Sequence, residues 1–525
     1  MKKAKATKTN QAVLFAGAAA LMTLAPQVRA QSSSDALIDK LEQKGILTSA
    51  EARELRTEAA EEDTNMVNRL PASKWILADS IKNIGLFGDV RLRYEYRGVD
   101  NPTPAFAAPG GISSGASGNT YRKERFRYAL RFGLRGDLTD NFNYGFRLET
   151  SANPRSPWVT FANNNGASST TPLSGTPSDK TGAGINVGQI YLGWHPNDWF
   201  EMTVGKMPMP LYTTPMVWDS DINPEGAFEK FKFSVGNVDL FAGFGQFDYQ
   251  DPTAASAFPS SDTFLLAWQG GGSVKFGKDM SFKIAPVLYT YTGQGNTPVS
   301  GTTPNLDSPY YWFIGQGDVN GLNGTYNQAG INDLLVLEIP MEFDFKIYNT
   351  VLGTLQARLF GDVAYNFYGD DRARAAYENA AGPNAGPGGA FPGSSSAATG
   401  QNKAYQIGLG LGSAGPVYGP MQGLVYGTTS RKHTWEARFY WQHIEQYALD
   451  VNLIDSDFFE GRGNLQGFYS SFAYGISDAI IGTVRYGYAE QIKGGLGTGG
   501  NNLDIPGINP IQNYNLVQLD LTWRF

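Results

Sequence analysis

Cysteine is absent from this chain, histidine occurs three times, and no apolar run reaches the length of a membrane helix. Each absence excludes something. Without cysteine there is no disulfide framework, no thiolate nucleophile and no thiol-held metal. His195, His433 and His443 have no serine partner evident in the sequence, and no HExxH or paired-histidine spacing occurs, so neither a hydrolase triad nor a metal centre is indicated. Positive charge is also scarce: the net charge is −7 over 525 residues, which argues against a nucleic-acid partner. No catalytic residue, cofactor or metal is therefore expected. A mean hydropathy of −0.30 would suit a soluble protein. Hydropathy averages are nearly blind to strands that interleave a lipid face with a water face, however.

What is present begins at the two ends. Residues 1–30 carry Lys2, Lys3, Lys5 and Lys8, then an apolar stretch over 12–25, then Val28-Arg29-Ala30. That is the layout of a cleaved signal peptide, with Arg29 an unusual feature within the cleavage motif. The five basic residues there have no acidic counterpart, so a mature chain starting at Gln31 would carry −12. At the other end, Val517, Leu519, Leu521, Trp523 and Phe525 fall on one strand face, and Gln518, Asp520, Thr522 and Arg524 on the other. An apolar face against lipid and a polar face against a lumen would explain this pattern. It resembles the closing strand of bacterial outer-membrane barrels, which implies that Trp523 and Phe525 form the signal read by the barrel assembly machinery.

Between the ends, residues 31–64 read as short helices, with Thr48-Ser-Ala-Glu51 as a capping box. They are too poor in apolar residues to build a core of their own. Residues 65–85 read as a linker. From Leu86 onward the period switches to two: Arg91, Arg93 and Glu95 alternate with Leu92, Tyr94 and Tyr96, and Arg127 and Arg131 with Tyr128, Leu130 and Phe132. Short turns at 138–141, 195–198, 236–237, 277–280, 348–351 and 476–479 alternate with long loops at 97–121, 153–185, 207–227, 250–261, 293–330, 369–402, 448–463 and 491–513. One stretch, 413–432, is Gly- and Pro-rich where a short turn is due. The fold expected for 86–525 is all-β: a closed antiparallel transmembrane β-barrel of about sixteen strands.

Counting along the strands places Arg91, Arg93, Arg127, Arg131 and Arg147 on inward faces near midheight, either as a basic wall or paired with interior acids. The loop 207–227 is apolar first, with Met207, Met209, Leu211, Met216, Val217 and Trp218, and then acidic, with Asp219, Asp221 and Glu225. Folding inward would bury the apolar part and offer Asp219, Asp221 and Glu225 to the channel opposite the arginines; packing on a neighbouring subunit is the alternative. An eyelet of that kind filters by size and charge.

Several segments in order resemble the bacterial "putative porin" family: Leu37-Ile-Asp-Lys-Leu-Glu-Gln-Lys-Gly-Ile-Leu-Thr-Ser-Ala-Glu-Ala52, Gly88-Asp-Val-Arg-Leu-Arg-Tyr94, the Arg-rich 125–135, and Gly205-Lys-Met-Pro followed by Trp218-Asp-Ser-Asp-Ile-Asn-Pro-Glu-Gly226. The resemblance implies a passive outer-membrane channel of general-porin or oligoanion-selective type. It also implies a third-loop constriction and a homotrimer. The helical segment is no part of general porins, and residues 35–63 are expected to oligomerise, or to tether the barrel to the cell wall or a periplasmic partner. A barrel anchor that tethers through residues 35–63, a gated transporter with a plug and a barrel enzyme are the rival functions, the plug disfavoured by the short segment before Leu86 and the enzyme by the histidines.

Overall fold

Among the described residues, period-two patterning becomes nineteen strands. The computed structural model describes residues 80–100, 120–151, 156–161, 184–250, 263–292, 334–372, 400–413, 432–494 and 511–525, with the single residues 44, 78 and 498. Residues 1–78 form one unit and 79–525 another. The expected signal peptide, the helical segment, most of the 65–85 linker and the irregular 414–431 stretch lie outside the described residues.

In chain order the strands are β1 (Gly85–Asp100), β2 (Thr120–Asp137), β3 (Phe142–Thr150), β4 (Val159–Thr160), β5 (Ile185–Asn197), β6 (Phe200–Lys206), β7 (Glu225–Val235), β8 (Val238–Gln250), β9 (Thr263–Phe276) and β10 (Met280–Ile284). They continue with β11 (Val287–Tyr291), β12 (Leu335–Glu338), β13 (Met341–Thr350), β14 (Gly353–Asn366), β15 (Lys403–Gly412), β16 (Trp435–Ile444), β17 (Leu465–Gly475), β18 (Ile480–Gln491) and β19 (Asn513–Arg524).

Three staves are each made of two segments. β4 extends the line of β3 along β2, with Thr160 opposite Arg127. Pro286 divides β10 from β11, and Pro340 divides β12 from β13. Because β10 pairs with β13 and β11 with β12, the two prolines interrupt neighbouring staves at one height. Proline has no N–H for the ladder. Their carbonyls still take part: Ala285 donates to Pro340 and Gly270 to Pro286, both at 3.1 Å. Counting each divided stave once leaves sixteen.

All strand pairings are antiparallel, and β1 pairs with β19 from Asp89–Arg524 to Asp100–Asn513, which closes the sheet. Closure leaves no edge to pair with another chain. The last residue is part of the seam: Gly88 donates to the Phe525 carbonyl at 3.0 Å and Phe525 donates back at 3.2 Å. The Phe525 ring lies over Gly88, where a Cβ would come within 2.7 Å of it.

Burial follows the alternation, but inside out. On β19, Gln518, Asp520 and Thr522 are buried, whereas Leu519, Leu521 and Trp523 are 40–45% exposed. On β1, Arg91, Arg93, Glu95 and Arg97 are buried while Leu92 is 47% exposed. An apolar belt outside and a charged face inside suit a sheet surrounded by lipid. Near the short turns, Trp199, Phe200 and Phe231 cluster with ring centroids 5.1–6.1 Å apart, as at a membrane interface.

Candidate functional site

Among the described residues, two long connections turn into the lumen over most of their length. The first is 207–224, between β6 and β7, where the sequence places it. Met207, Leu211, Tyr212, Met216, Val217 and Trp218 are buried and join Phe228, Phe247, Leu265 and Val287 of the wall in one apolar cluster. Removing each such side chain from water contributes roughly 1.5–3 kcal/mol. Polar wall residues fix the tip. Tyr212 donates its backbone N–H to Gln269 Oε1 at 2.9 Å, and Gln269 Nε2 donates to the Tyr212 carbonyl at 2.8 Å. Thr213 donates its hydroxyl to Glu338 at 2.7 Å, and the Thr214 hydroxyl bonds Asp362. Gln269, Glu338 and Asp362 carry no sequence motif, and only the fold makes them anchors.

The second is 445–464, between β16 and β17. The sequence gives 448–463 only as a long loop, of the kind that lies outside the membrane in barrels; here it turns inward instead. Leu449, Val451, Leu453, Ile454, Phe458 and Phe459 join the same apolar cluster. Asp450 accepts from the hydroxyls of Tyr249 and Tyr291, each at 2.8 Å. Phe459 and Glu460 adopt φ of 65° and 57°, a conformation that costs about 1–2 kcal/mol for a residue with a side chain. Ion pairs of Glu460 with Arg97 and Arg462, both at 3.3 Å, hold it there.

The two segments bind each other. Asp455 donates its N–H to the Pro215 carbonyl at 3.1 Å. Ser456 donates both its N–H and its hydroxyl to Asp219 Oδ2, at 3.1 and 3.0 Å. Burial, with Asp221 and Asp457 nearby, pushes Asp219 up to about 7. Burial together with Asp219 and Asp457 raises Asp455 well above the ordinary carboxylate range. Burial also opposes ionisation of Asp457, but Arg93 and Arg97 together hold it low.

The expected acids and arginines are partly brought together. Asp221 forms a direct ion pair with Arg131, which also lies 3.6 Å from Glu149. Arg147 pairs with Glu149 at 2.9 Å, Arg91 with Asp89 at 2.7 Å, and Arg127 approaches Glu95 at 3.6 Å. Arg93 bridges Asp520 at 2.8 Å and Asp457 of the second loop at 2.9 Å. Of the two arrangements expected for the arginines, pairing with interior acids is the one present, and Asp221 joins it as a contact pair rather than facing the wall across the channel. The physical reason is desolvation: a buried guanidinium without a partner costs several kcal/mol. Glu225 departs furthest. It is the first residue of β7, exposed, opposite Lys206 on β6, and pairs with that lysine at 2.7 Å. Trp158, unmarked in the sequence, lies beneath the arginines, with the Arg93 guanidinium 3.9 Å from its ring centroid. Trp523 and Phe525 lie on the outward face.

The histidines stand apart from one another. His443 Nδ1 donates to Gln466 Oε1 at 3.0 Å and its ring stacks on Tyr405, His433 meets the Tyr474 hydroxyl at 2.7 Å, and His195 lies 3.4 Å from Asn143.

A family model described as "putative porin" matches residues 53–525. The chain belongs to this family. As a porin it forms a channel across the outer membrane. Among curated proteins none matches it significantly. Similar solved structures include the anion-selective porin from Comamonas acidovorans, at 11% identity and a TM-score of 0.36, covering 84% of this chain and 99% of that one. A mutant of the Rh. blastica porin has 9% identity and a TM-score of 0.35, covering 84% and 100%. A loop-deletion mutant of OmpT, an outer membrane protein of Vibrio cholerae, has 9% identity and a TM-score of 0.34, covering 84% and 99%.

Proposed function

We propose that this porin passes ions and small hydrophilic solutes passively, through a lumen narrowed by 207–224 and 445–464 acting as one body. The observation that carries the reading is the inside-out closed sheet, with charged residues such as Arg93 and Asp520 within and Leu519 and Leu521 outside. Asp219 and Asp221 belong to the narrowed region in this reading. Arg93 and Arg131 hold the inward segments, and together with Arg91, Arg127 and Arg147 they set the local field. A chain of this kind filters solutes by size and by charge at the constriction, and catalysis has no part in it.

The same proposal extends beyond the lumen. Residues 1–30 are removed on export. Residues 31–64 serve on the periplasmic side, in oligomerisation or in tethering to the cell wall or a partner. Trp523 and Phe525 are read by the barrel assembly machinery, and the barrels associate as homotrimers in outer-membrane lipid. Osmotic swelling of liposomes carrying refolded protein tests the central part. Small sugars should enter at rates that fall with molecular size and do not saturate. Swelling no faster than in protein-free liposomes would reject a diffusion channel.

A further inference from the structure

Resting on the porin reading, we propose that the lumen wall of β7 to β10, on the short-turn side of the first inward segment, is a binding station for small aromatic carboxylates. The argument starts from an imbalance. Four cationic side chains, Lys230, Lys232, Lys283 and Arg358, face three carboxylates, Glu201, Glu342 and Asp344. Glu201 is shared by Lys232 and by Lys230, the latter at 3.6 Å. Arg358 takes both Glu342, at 2.8 Å, and Asp344, at 2.5 Å. Glu342 is the cross-strand partner of Lys283, yet no ion pair joins them among the described residues. Lys283 is the cation left over.

Its company is aromatic instead. The Lys283 ammonium lies 3.6 Å from the centroid of Tyr212, at the tip of the first inward segment, and 5.7 Å from that of Phe241. Lys230 approaches the same Phe241 ring at 5.6 Å. Two ammoniums therefore converge on one ring, within each other's field, and Lys283 also feels Arg358, while Glu342 and Asp344 attract it without a contact ion pair among the described residues. Like charges gathered in a partly dry wall repel, and an anion between them relieves that repulsion. The Phe241 ring reaches over Gly271, where a Cβ would come within 2.5 Å of its Cζ. Lys230, Lys283 and Phe241 are all partly open to the lumen. A partly exposed ring approached by two ammoniums matches a carboxylate on a ring, with charge-assisted hydrogen bonds to the ammoniums and contact between the two rings.

Single channels of the full-length protein in KCl test this, with benzoate, acetate or benzamide added on the short-turn side. Benzoate should interrupt the current at concentrations about tenfold below acetate, and neutral benzamide should not interrupt it. Lys283→Gln should raise the half-blocking benzoate concentration about tenfold, the order expected for one charge-assisted contact. Lys283→Arg should keep the block, Lys230→Gln should weaken it, and Phe241→Leu should erase the preference for benzoate over acetate. KCl conductance of each variant reports that its barrel is intact. Equal block by benzoate and acetate in the wild type, or unchanged block in conducting Lys283→Gln and Lys230→Gln channels, would overturn the station and leave the porin reading standing. Absence of KCl steps from the wild type would overturn the porin reading itself.

Discussion

Asp219 and Ser456, on different inward segments, are joined by two hydrogen bonds to a single carboxylate oxygen, at 3.1 and 3.0 Å. This pair makes one lumen structure of two loops. Ser456→Ala removes the hydroxyl bond and keeps the backbone one, at a cost of about 1 kcal/mol. The expected outcome is increased open-channel current noise with little change in mean conductance. Unaltered noise would mean that the loops are held elsewhere.

The same carboxylate predicts a pH dependence. Asp219, pushed up to about 7 by burial and by Asp221, takes a proton in the docked loops at pH values where the unfolded chain has lost it. Its contribution is greatest below the unfolded value near 3.8 and falls as pH rises through about 7. Asp455 acts in the same sense. Asp457 is held low and acts in the opposite sense, but only in stronger acid. Loop noise should therefore be lower at pH 5 than at pH 8. Asp219→Asn should behave at pH 8 more like the wild type at pH 5, as current recordings across that range would reveal.

Arg131 and Asp221 tie the first segment to β2. Breaking a buried pair from one side costs about 3–5 kcal/mol, because a charge is left without its partner. Arg131→Gln and Asp221→Asn should each lower the urea midpoint of barrel unfolding in micelles, and the double variant should lose less than the sum. Strict additivity would show that the two charges do not depend on each other.

At the seam, deleting Phe525 removes the ring over Gly88 and the paired backbone bonds. The amount of heat-modifiable barrel in the outer membrane should drop while secretion continues. Undiminished barrel would contradict both the structural role and the proposed assembly signal.

Much of this architecture is legible in the sequence because lipid and lumen impose a strict period of two. Leu519, Leu521 and Trp523 declare their face as plainly as Asp520 declares the other. The first inward segment is legible as well, since Met216, Val217 and Trp218 would not sit together in an exposed loop. The second has the same signature in 445–464: Leu453, Ile454, Phe458 and Phe459 stand among Asp450, Asp455 and Asp457. The test that finds one loop finds both, once it is applied to every long connection. Pairing is harder. Nothing local distinguishes Arg93, which bridges Asp520 and Asp457, from an arginine open to water. That depends on where a loop more than 350 residues away comes to rest. Glu225 was misplaced for a related reason: its nearest cation, Lys206, is supplied by strand register rather than by the lumen.

Single-channel conductance of the refolded protein, recorded beside a variant in which residues 449–459 are replaced by a short Gly-Ser bridge, tests the central claim most directly. The account predicts discrete ohmic steps for the wild type and a larger conductance for the variant, because one of the two inward segments proposed to narrow the lumen has been removed. A wild type that never conducts, or a folded variant whose conductance equals that of the wild type, would contradict a channel narrowed by two interlocked loops.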